Sequence, residues 1–401
     1  MSTRYVSLGE VAVFIRGITF KPQDVGPVSL PGAVACMRTS NVQSVLDLSD
    51  VWGVRSSLVK RDDQFLRQGD VLVSSANSWN LVGKCCWVPE LPLRSTFGGF
   101  VSVLRADPQK VDPRFLFRWF ASTRIQATVR SFGQRTTSIS NLNLERCSKL
   151  PFPLLPLPQQ RRIAEVLDRA EALRAKRRAA LAQLDTLTQS IFRDMFGDIR
   201  GPSANLRLAQ FEDIVAETKL GLVRGSQELG PDLPVPYVRM NAITRAGELD
   251  LADVQRTRTT QAEFDAYRLR AGDLLFNTRN SEELVGKTAL YRGDGSHVFN
   301  NNIMRIRFTG EADPEFVAAA FNTLFVQREL SFRKSGTTSV FAIYYKDLRS
   351  LPLPVPPIEL QRAFASRVGA TVKLKMAELS GLAQFDALFA AIQDRAFQGE
   401  L

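Results

Sequence analysis

The chain has 401 residues, of which 44% are hydrophobic and 23% charged, a balance that excludes global disorder and suffices for two or more domains with their own cores. Lys and Arg number 52 against 41 Asp and Glu, a formal net charge of +11, which favours a polyanionic partner, nucleic acid first, because basic side chains displace condensed counterions from phosphates. No apolar run approaches the roughly 18 residues of a membrane span, and Met1-Ser2-Thr3-Arg4 opens a polar segment rather than a signal sequence, so no membrane partner and a cytoplasmic location are expected.

The first roughly 150 residues read as short strands punctuated by Gly, Pro, Asn and Asp, with Val71 to Val73 and Phe100 to Leu104 as the clearest runs. Asp112-Pro113 predicts an amphipathic helix from Phe115 to Val129, since proline suits the first helical turn. Cys36, Cys85, Cys86 and Cys147 lack metal-ligand spacing and read as reduced, buried thiols. The run Leu150-Pro151-Phe152-Pro153-Leu154-Leu155-Pro156 then opens into a long helix that closes at Phe196-Gly197. Within it Ile163, Val166, Ala170, Leu173, Arg177, Ala180, Leu184, Leu187 and Ile191 recur at alternating steps of three and four, the spacing of a heptad seam that Arg177 interrupts. A helix of roughly 38 residues is roughly 57 Å long. It is too long and too narrowly striped for an ordinary core helix, so it requires a partner helix. Asp198 to Leu206, with Gly201-Pro202, reads as a linker.

The second half repeats the first. Leu46-Asp47-Leu48 returns as Leu249-Asp250-Leu251 (249 − 46 = 203), Gly69-Asp70-Val71-Leu72 as Gly272-Asp273-Leu274-Leu275, and Val82-Gly83-Lys84 as Val285-Gly286-Lys287. Asp112-Pro113 returns as Asp313-Pro314 (313 − 112 = 201), with a helix expected from Phe316 to Phe332, and Thr136-Thr137-Ser138 as Thr337-Thr338-Ser339. A strand is expected over Ile303 to Phe308. The proline run returns at Leu351 to Pro357 and leads into a second long helix, where Phe364, Val368, Val372, Leu379, Leu382, Phe385, Leu388 and Ile392 form a stripe weakened by Lys375 and Gly381. Ordered matches at a nearly constant offset identify a tandem duplication. The expected fold class is α+β: an α/β globule and a long helix, both duplicated, with the two long helices packed as an antiparallel coiled coil. The globules span residues 1–155 and 201–355 and the long helices 156–200 and 356–401. Such helices act as a ruler between two reading heads on one duplex.

Chemistry-bearing motifs are few. Ser281-Glu282-Glu283-Leu284-Val285-Gly286-Lys287-Thr288 approaches a phosphate-cradling loop, but Ser281 replaces its first glycine and Ala289-Leu290-Tyr291 looks like a strand where a helix is required, so a turn between strands is the reading. His297 reads as a loop residue. Sequence readout needs Arg, Lys, Asn or Gln at base edges. In the first half the candidate DNA-binding residues are Arg38, Asn77, Asn80, Lys84, Gln134 and Arg135, with Thr136 and Thr137 suited to close approach to phosphate. The candidates in the second half are Arg239, Asn277, Arg279, Lys287, Asn301 and Lys334, with Thr337 and Thr338. Arg38 and Arg239 either contact phosphate or pair with an acidic neighbour. Arg174, Lys176, Arg177 and Arg178 form a basic cluster on the first long helix.

With its duplicated proline runs into Gln160-Arg161-Arg162-Ile163-Ala164 and Gln361-Arg362, its two Gly-Asp elements and its ending Ala396-Phe397-Gln398-Gly399-Glu400-Leu401, the chain resembles the specificity subunits of type I restriction-modification enzymes over essentially its full length. The resemblance implies two target recognition domains, each reading half of a split sequence in double-stranded DNA. It also implies long helices that dock two modification (methyltransferase) subunits, with restriction subunits completing the complex. Arg161, Arg162, Ile163, Leu173, Leu184, Gln361, Arg362 and Leu382 are the candidate docking residues. One departure is Glu359-Leu360-Gln361, where the family has a Gln-Gln pair. No catalytic, cofactor-binding or metal-ligating residue is expected in this chain; S-adenosylmethionine, ATP and magnesium belong to the partners. The alternative is a coiled-coil assembly scaffold whose globules bind proteins.

Overall fold

Asp112 and Asp313 each cap a helix. The Asp112 carboxylate accepts from the Arg114 and Phe115 N–H groups and that of Asp313 from the Glu315 N–H, while proline takes the first position, where no N–H is needed. The expected single helices are each broken in two: Pro113–Phe120 and Thr123–Ser131 in the first repeat, Pro314–Phe321 and Leu324–Ser331 in the second. The break falls where a hydroxyl residue starts a new helix; Thr323 accepts from the Val326 N–H. A computed structural model of the protein describes residues 4–135, 139–197, 207–336 and 339–400, so the expected linker at Asp198 to Leu206 lies outside the described residues.

These helices cover a four-stranded antiparallel sheet. In the first repeat its order is Ala12–Arg16, Val101–Ala106, Val71–Ser74 and Cys85–Trp87; in the second it is Val215–Leu220, Ile303–Phe308, Leu274–Asn277 and Thr288–Leu290. Val71 and Val73 belong to the core beneath Phe115 and Phe120, and Leu72 and Val103 to a second core on the opposite face, with Ala35 and Phe97. A strand covered on both sides reads as a continuous apolar run, which is why Val71 to Val73 stands out in the sequence. Each proline run forms a strand beside the start of its repeat: Pro151–Leu154 pairs antiparallel with Arg4–Ser7, and Pro352–Pro354 with Leu208–Gln210. Both are two-stranded sheets, where a residue without an N–H can take an unpaired edge.

The Gly-Asp elements are structural. Asp70 is buried and takes two bonds from the Arg105 guanidinium, both 2.7 Å. Asp273 takes the equivalent pair from Arg307, at 2.7 and 3.2 Å. Gln160 is also buried: Oε1 accepts from the Asp112 N–H (2.9 Å), and Nε2 donates to the Lys110 and Leu155 carbonyls (3.1 and 2.7 Å). Gln361 makes the same three bonds in the second repeat, from the Asp313 N–H and to the Glu311 and Pro356 carbonyls. Each glutamine pins the start of a long helix to the cap of the Asp-Pro helix. Gln160→Ala would leave an N–H and two carbonyls without partners in a dry site, each worth about 1–3 kcal/mol. A loss of about 3 kcal/mol in urea unfolding of the full chain is the expected outcome; a loss below about 0.5 kcal/mol would remove the pinning role.

The long helices are Leu157–Phe196 and Ile358–Gln398, 40 and 41 residues. Both end at a glycine with positive φ, Gly197 (+79°) and Gly399 (+76°), the left-handed conformation that closes a helix and that a side chain resists. The chain forms two compact units, Met1–Arg177 with Gly381–Leu401, and Arg178–Ser380, so each long helix gives one part to each unit rather than standing apart. In the first unit, the start of the first long helix runs antiparallel to the end of the second. Arg174 pairs with Asp386 at 2.5 Å, Arg177 lies against Phe385, and Ile163 and Leu167 share a core with Phe389 and Ala396. In the second unit Phe192 and Phe196 pack on Phe364, again antiparallel.

The seam differs from the expected one. Ile163, Leu167, Ala170, Arg174 and Arg177 turn inward in the first unit, and Leu181, Leu184, Thr188, Ile191 and Met195 in the second. Ile163, Ala170, Arg177, Leu184 and Ile191 hold as expected, but Val166, Leu173, Ala180 and Leu187 are exposed. Apolarity misleads here because the inward positions carry charge that is matched across the seam. Arg174 bonds Asp386 and Glu171. Arg177 occupies the space Gly381 leaves open, since a Cβ there would strike its guanidinium. The two residues that weaken the stripes therefore complement each other. Lys375, the other interruption, pairs with Glu248, and Leu379 and Leu388 are exposed instead of inward.

Candidate nucleic-acid interface

A small three-stranded sheet gathers the predicted reading loops of each repeat. In the first, Gly133–Arg135, Ser140–Leu142 and Ala76–Asn77 lie side by side, with Asn77 opposite Ser140 and Gln134 opposite Asn141. In the second, Ser335–Gly336, Phe341–Ala342 and Arg279–Asn280 do the same. Asn80, Gln134 and Arg279 are exposed there, and the Arg279 Nε–H donates to the Tyr344 hydroxyl at 2.6 Å. Asn77 is half-buried, with Nδ2 donating to Ser74 Oγ (3.0 Å). Lys334 Nζ donates to the Glu282 carbonyl at 2.5 Å. Arg135 lies in the strand, whereas Thr136, Thr137, Thr337 and Thr338 lie outside the described residues.

Asn277 is not at the surface. It is fully buried, its Nδ2 donates to the Leu284 carbonyl (3.4 Å), and its Oδ1 has no hydrogen-bond partner. It follows Phe276 at the end of a covered strand, so its place there removes it from the reading set. Lys84 and Lys287 sit in equivalent turns between strands, and no helix follows either turn, which rules out a phosphate-cradling loop there. Lys84 bonds Gln43 Oε1 and Lys287 bonds the Ile243 carbonyl, so both ammonium groups tie the turn to a neighbouring loop. Burial, with Arg245 nearby, draws the Lys287 ammonium below its usual range. His297 meets the Tyr291 hydroxyl (3.0 Å) and Ser296 Oγ (3.1 Å), while Ser296 donates to Asp294 at 2.6 Å. Serine bonded directly to the carboxylate closes a turn and does not form a nucleophilic relay.

Arg38 takes the acidic alternative, bonding the Asp50 carboxylate at 2.5 Å with its guanidinium 3.8 Å over the Trp52 ring. Arg239, its counterpart, is exposed and donates to Gln255 Oε1 at 2.9 Å. Both arginines line cavities, of about 510 Å³ in the first repeat and about 360 Å³ in the second. Among the other lining side chains, Phe20, Trp52 and Phe100 in one and Asn241, Asp250, Asp253 and Gln255 in the other escape the sequence reading as site residues. Repeat alignment alone would flag them, because Trp52 falls against Gln255 at the offset of the other matches. Asn301 is half-buried and its N–H donates to the Leu222 carbonyl at 3.0 Å.

On the long helices Arg161, Arg162, Arg362 and Leu173 are exposed, and Leu184 and Leu382 are half-buried in the seam. Ile163 and Gln361 are buried. Neither can meet another chain: Ile163 fills the first core, and all of the Gln361 amide is used in pinning its helix. Among the described residues, no helix is long and apolar enough to cross a membrane.

A sequence model of the family described as "Type I restriction modification DNA specificity domain" matches residues 5–183. The EcoKI specificity subunit of Escherichia coli K12 is 25% identical over 98% of this chain and 87% of its own length. The StySPI specificity subunit of Salmonella potsdam is 23% identical over the same shares. A crystal structure of a type I restriction-modification system S subunit from M. genitalium has the same fold, with a TM-score of 0.59 at 13% identity over 98% of this chain and 96% of that one. With the matched domain in its first repeat, the same fold built again in its second, and relatives of one kind along nearly its whole length, the chain is similar throughout to type I restriction-modification specificity subunits.

Proposed function

We propose that the chain is the sequence-reading subunit of a type I complex and has no catalytic role of its own: each repeat reads one half of a split target in double-stranded DNA. The observation that carries this is one scaffold built twice with different polar groups on its loops. A shared framework with divergent surface chemistry suits two unlike half-sites, and the net charge of +11 suits the phosphate backbone. Two modification subunits dock on the long helices through the exposed Arg161, Arg162, Leu173 and Arg362, and restriction subunits complete the assembly in the cytoplasm. S-adenosylmethionine, ATP and magnesium are bound by those partners.

The test is adenine methylation of random duplexes by the chain with its modification subunits, with methylated sites mapped by sequencing. Two specific half-sites at a fixed spacing are the expected result; methylation without sequence preference would overturn the reading. A protein-binding scaffold would show negligible DNA affinity near 100 mM salt, whereas a reader shows steeply salt-dependent nonspecific binding and keeps its specific site.

A further inference from the structure

In each repeat one strand pair runs parallel: Ala33–Met37 with Ser95–Phe97, and Val235–Val238 with Val298–Phe299. Parallel strands bring both carboxyl ends to one edge, where the outgoing segments separate and leave a crevice. The first pair runs out into Arg38 and Gly98, and the second into Arg239 and Asn300. The cavities described above open there.

Backbone pairing fixes which residues correspond. Ile18 bridges Gly98 in one repeat as Leu222 bridges Asn300 in the other. The Phe100 carbonyl accepts from the Ser75 N–H (2.9 Å) as the Asn302 carbonyl accepts from the Thr278 N–H (2.9 Å). Cys36 lies opposite Trp52, and Tyr237, its counterpart, bonds the Gln255 carbonyl. The arginine is therefore common to both crevices, while the residues around it change in kind: Ser40 becomes Asn241 and Trp52 becomes Gln255, both lining the second cavity together with Asp250 and Asp253, and Phe100 becomes Asn302, which stands outside that cavity's lining. One wall is aromatic and the other amide and carboxylate. Phe100 is 62% exposed, so its phenyl ring serves no core, and a large apolar group held in water at the rim of a crevice calls for an apolar counterpart.

Resting on the reading of the chain as a DNA reader, we propose that these paired crevices determine the difference between the two half-sites. In the first repeat the Phe100 and Trp52 wall takes the C5-methyl edge of a thymine. In the second the Asn241 and Gln255 amides take the N6 and N7 edge of an adenine. Arg38 and Arg239 are positioning residues beside them. Apolar contact with the thymine methyl and amide pairing with adenine are the side-chain matches that major-groove chemistry allows.

The test uses the full chain with its modification subunits, mapping methylated adenines on random duplexes. Ser40→Asn, Trp52→Gln and Phe100→Asn together give the first crevice the second repeat's groups. The expected result is a shift of about tenfold or more in base preference at one or two positions of the first half-site, with the second half-site unchanged. Phe100→Asn alone touches no core side chain, so it remains informative if the triple variant fails to fold; it is expected to lose about tenfold in thymine preference at one position. If the single variant methylates with an unchanged first half-site, the proposal is wrong and the DNA-reading function stands. If the unaltered chain confers no sequence preference, that function fails and this inference falls with it.

Discussion

Phe192→Ala is expected to destabilise the second unit by about 3–5 kcal/mol, the usual cost of emptying an aromatic side chain's volume in a core. Phe192 is 2% exposed. Its ring stacks on Phe316 at 5.5 Å between centroids and meets Phe196 and Phe364 edge-on or tilted at 5.1 and 5.6 Å. Few neighbours can collapse into the gap, because each of these rings is held by the others. The residue closes the first long helix, yet its partners belong to the second repeat, so the sequence tandem is tied together by the last turns of a helix. Trp52, Trp79, Trp87 and Trp119 all lie in the first unit, so tryptophan fluorescence follows that unit and calorimetry follows both. The expected result is a calorimetric transition roughly 10 °C lower without tryptophan signal. A shift under about 2 °C would show that the cluster contributes little.

Asp70→Ala carries the second large effect. Its carboxylate is 2% exposed and the Arg105 guanidinium 14%. Removing one partner of so buried a pair leaves a charge without compensation, at about 3–5 kcal/mol, whereas replacing both with apolar groups is often close to neutral. The Asp70→Ala chain should therefore unfold at much lower urea, read by tryptophan fluorescence, and Arg105→Met added to it should recover most of the loss. A double variant as unstable as the single one would place the role of Asp70 elsewhere, in its bond from the Arg67 N–H. Asp273→Ala should cost less, because Arg307 is more exposed, at 24%, and keeps Glu217 as a second partner.

Val166, Leu173 and Leu187 lie outside the corrected seam and are exposed. The same residues, read from spacing alone, look like the contact between the helices. A heptad admits two alternations of three and four that share Ile163, Ala170, Arg177, Leu184 and Ile191, and the structure adopts the one whose remaining positions include Leu167, Arg174 and Leu181, where Arg174 meets Asp386 on the antiparallel helix.

The duplication, the two long helices, their glycine ends, the Asp-Pro helix starts and the covered central strands are all determined by the chain itself, since each depends on residues close in sequence or on apolar side chains that must leave water wherever they are. What became of the polar residues was decided by the tertiary structure. Gln361 looked available and is buried, Asn277 looked like a reader and lies under a loop, and Lys84 and Lys287 looked ready for phosphate and are tied to their own chain. Trp52 and Phe100, which the sequence does not single out as site residues, line a crevice. A polar group is stable wherever a partner meets it, and an aromatic one wherever a face covers it. The identity of that partner or face depends on segments tens to hundreds of residues away, brought close only by the folded chain.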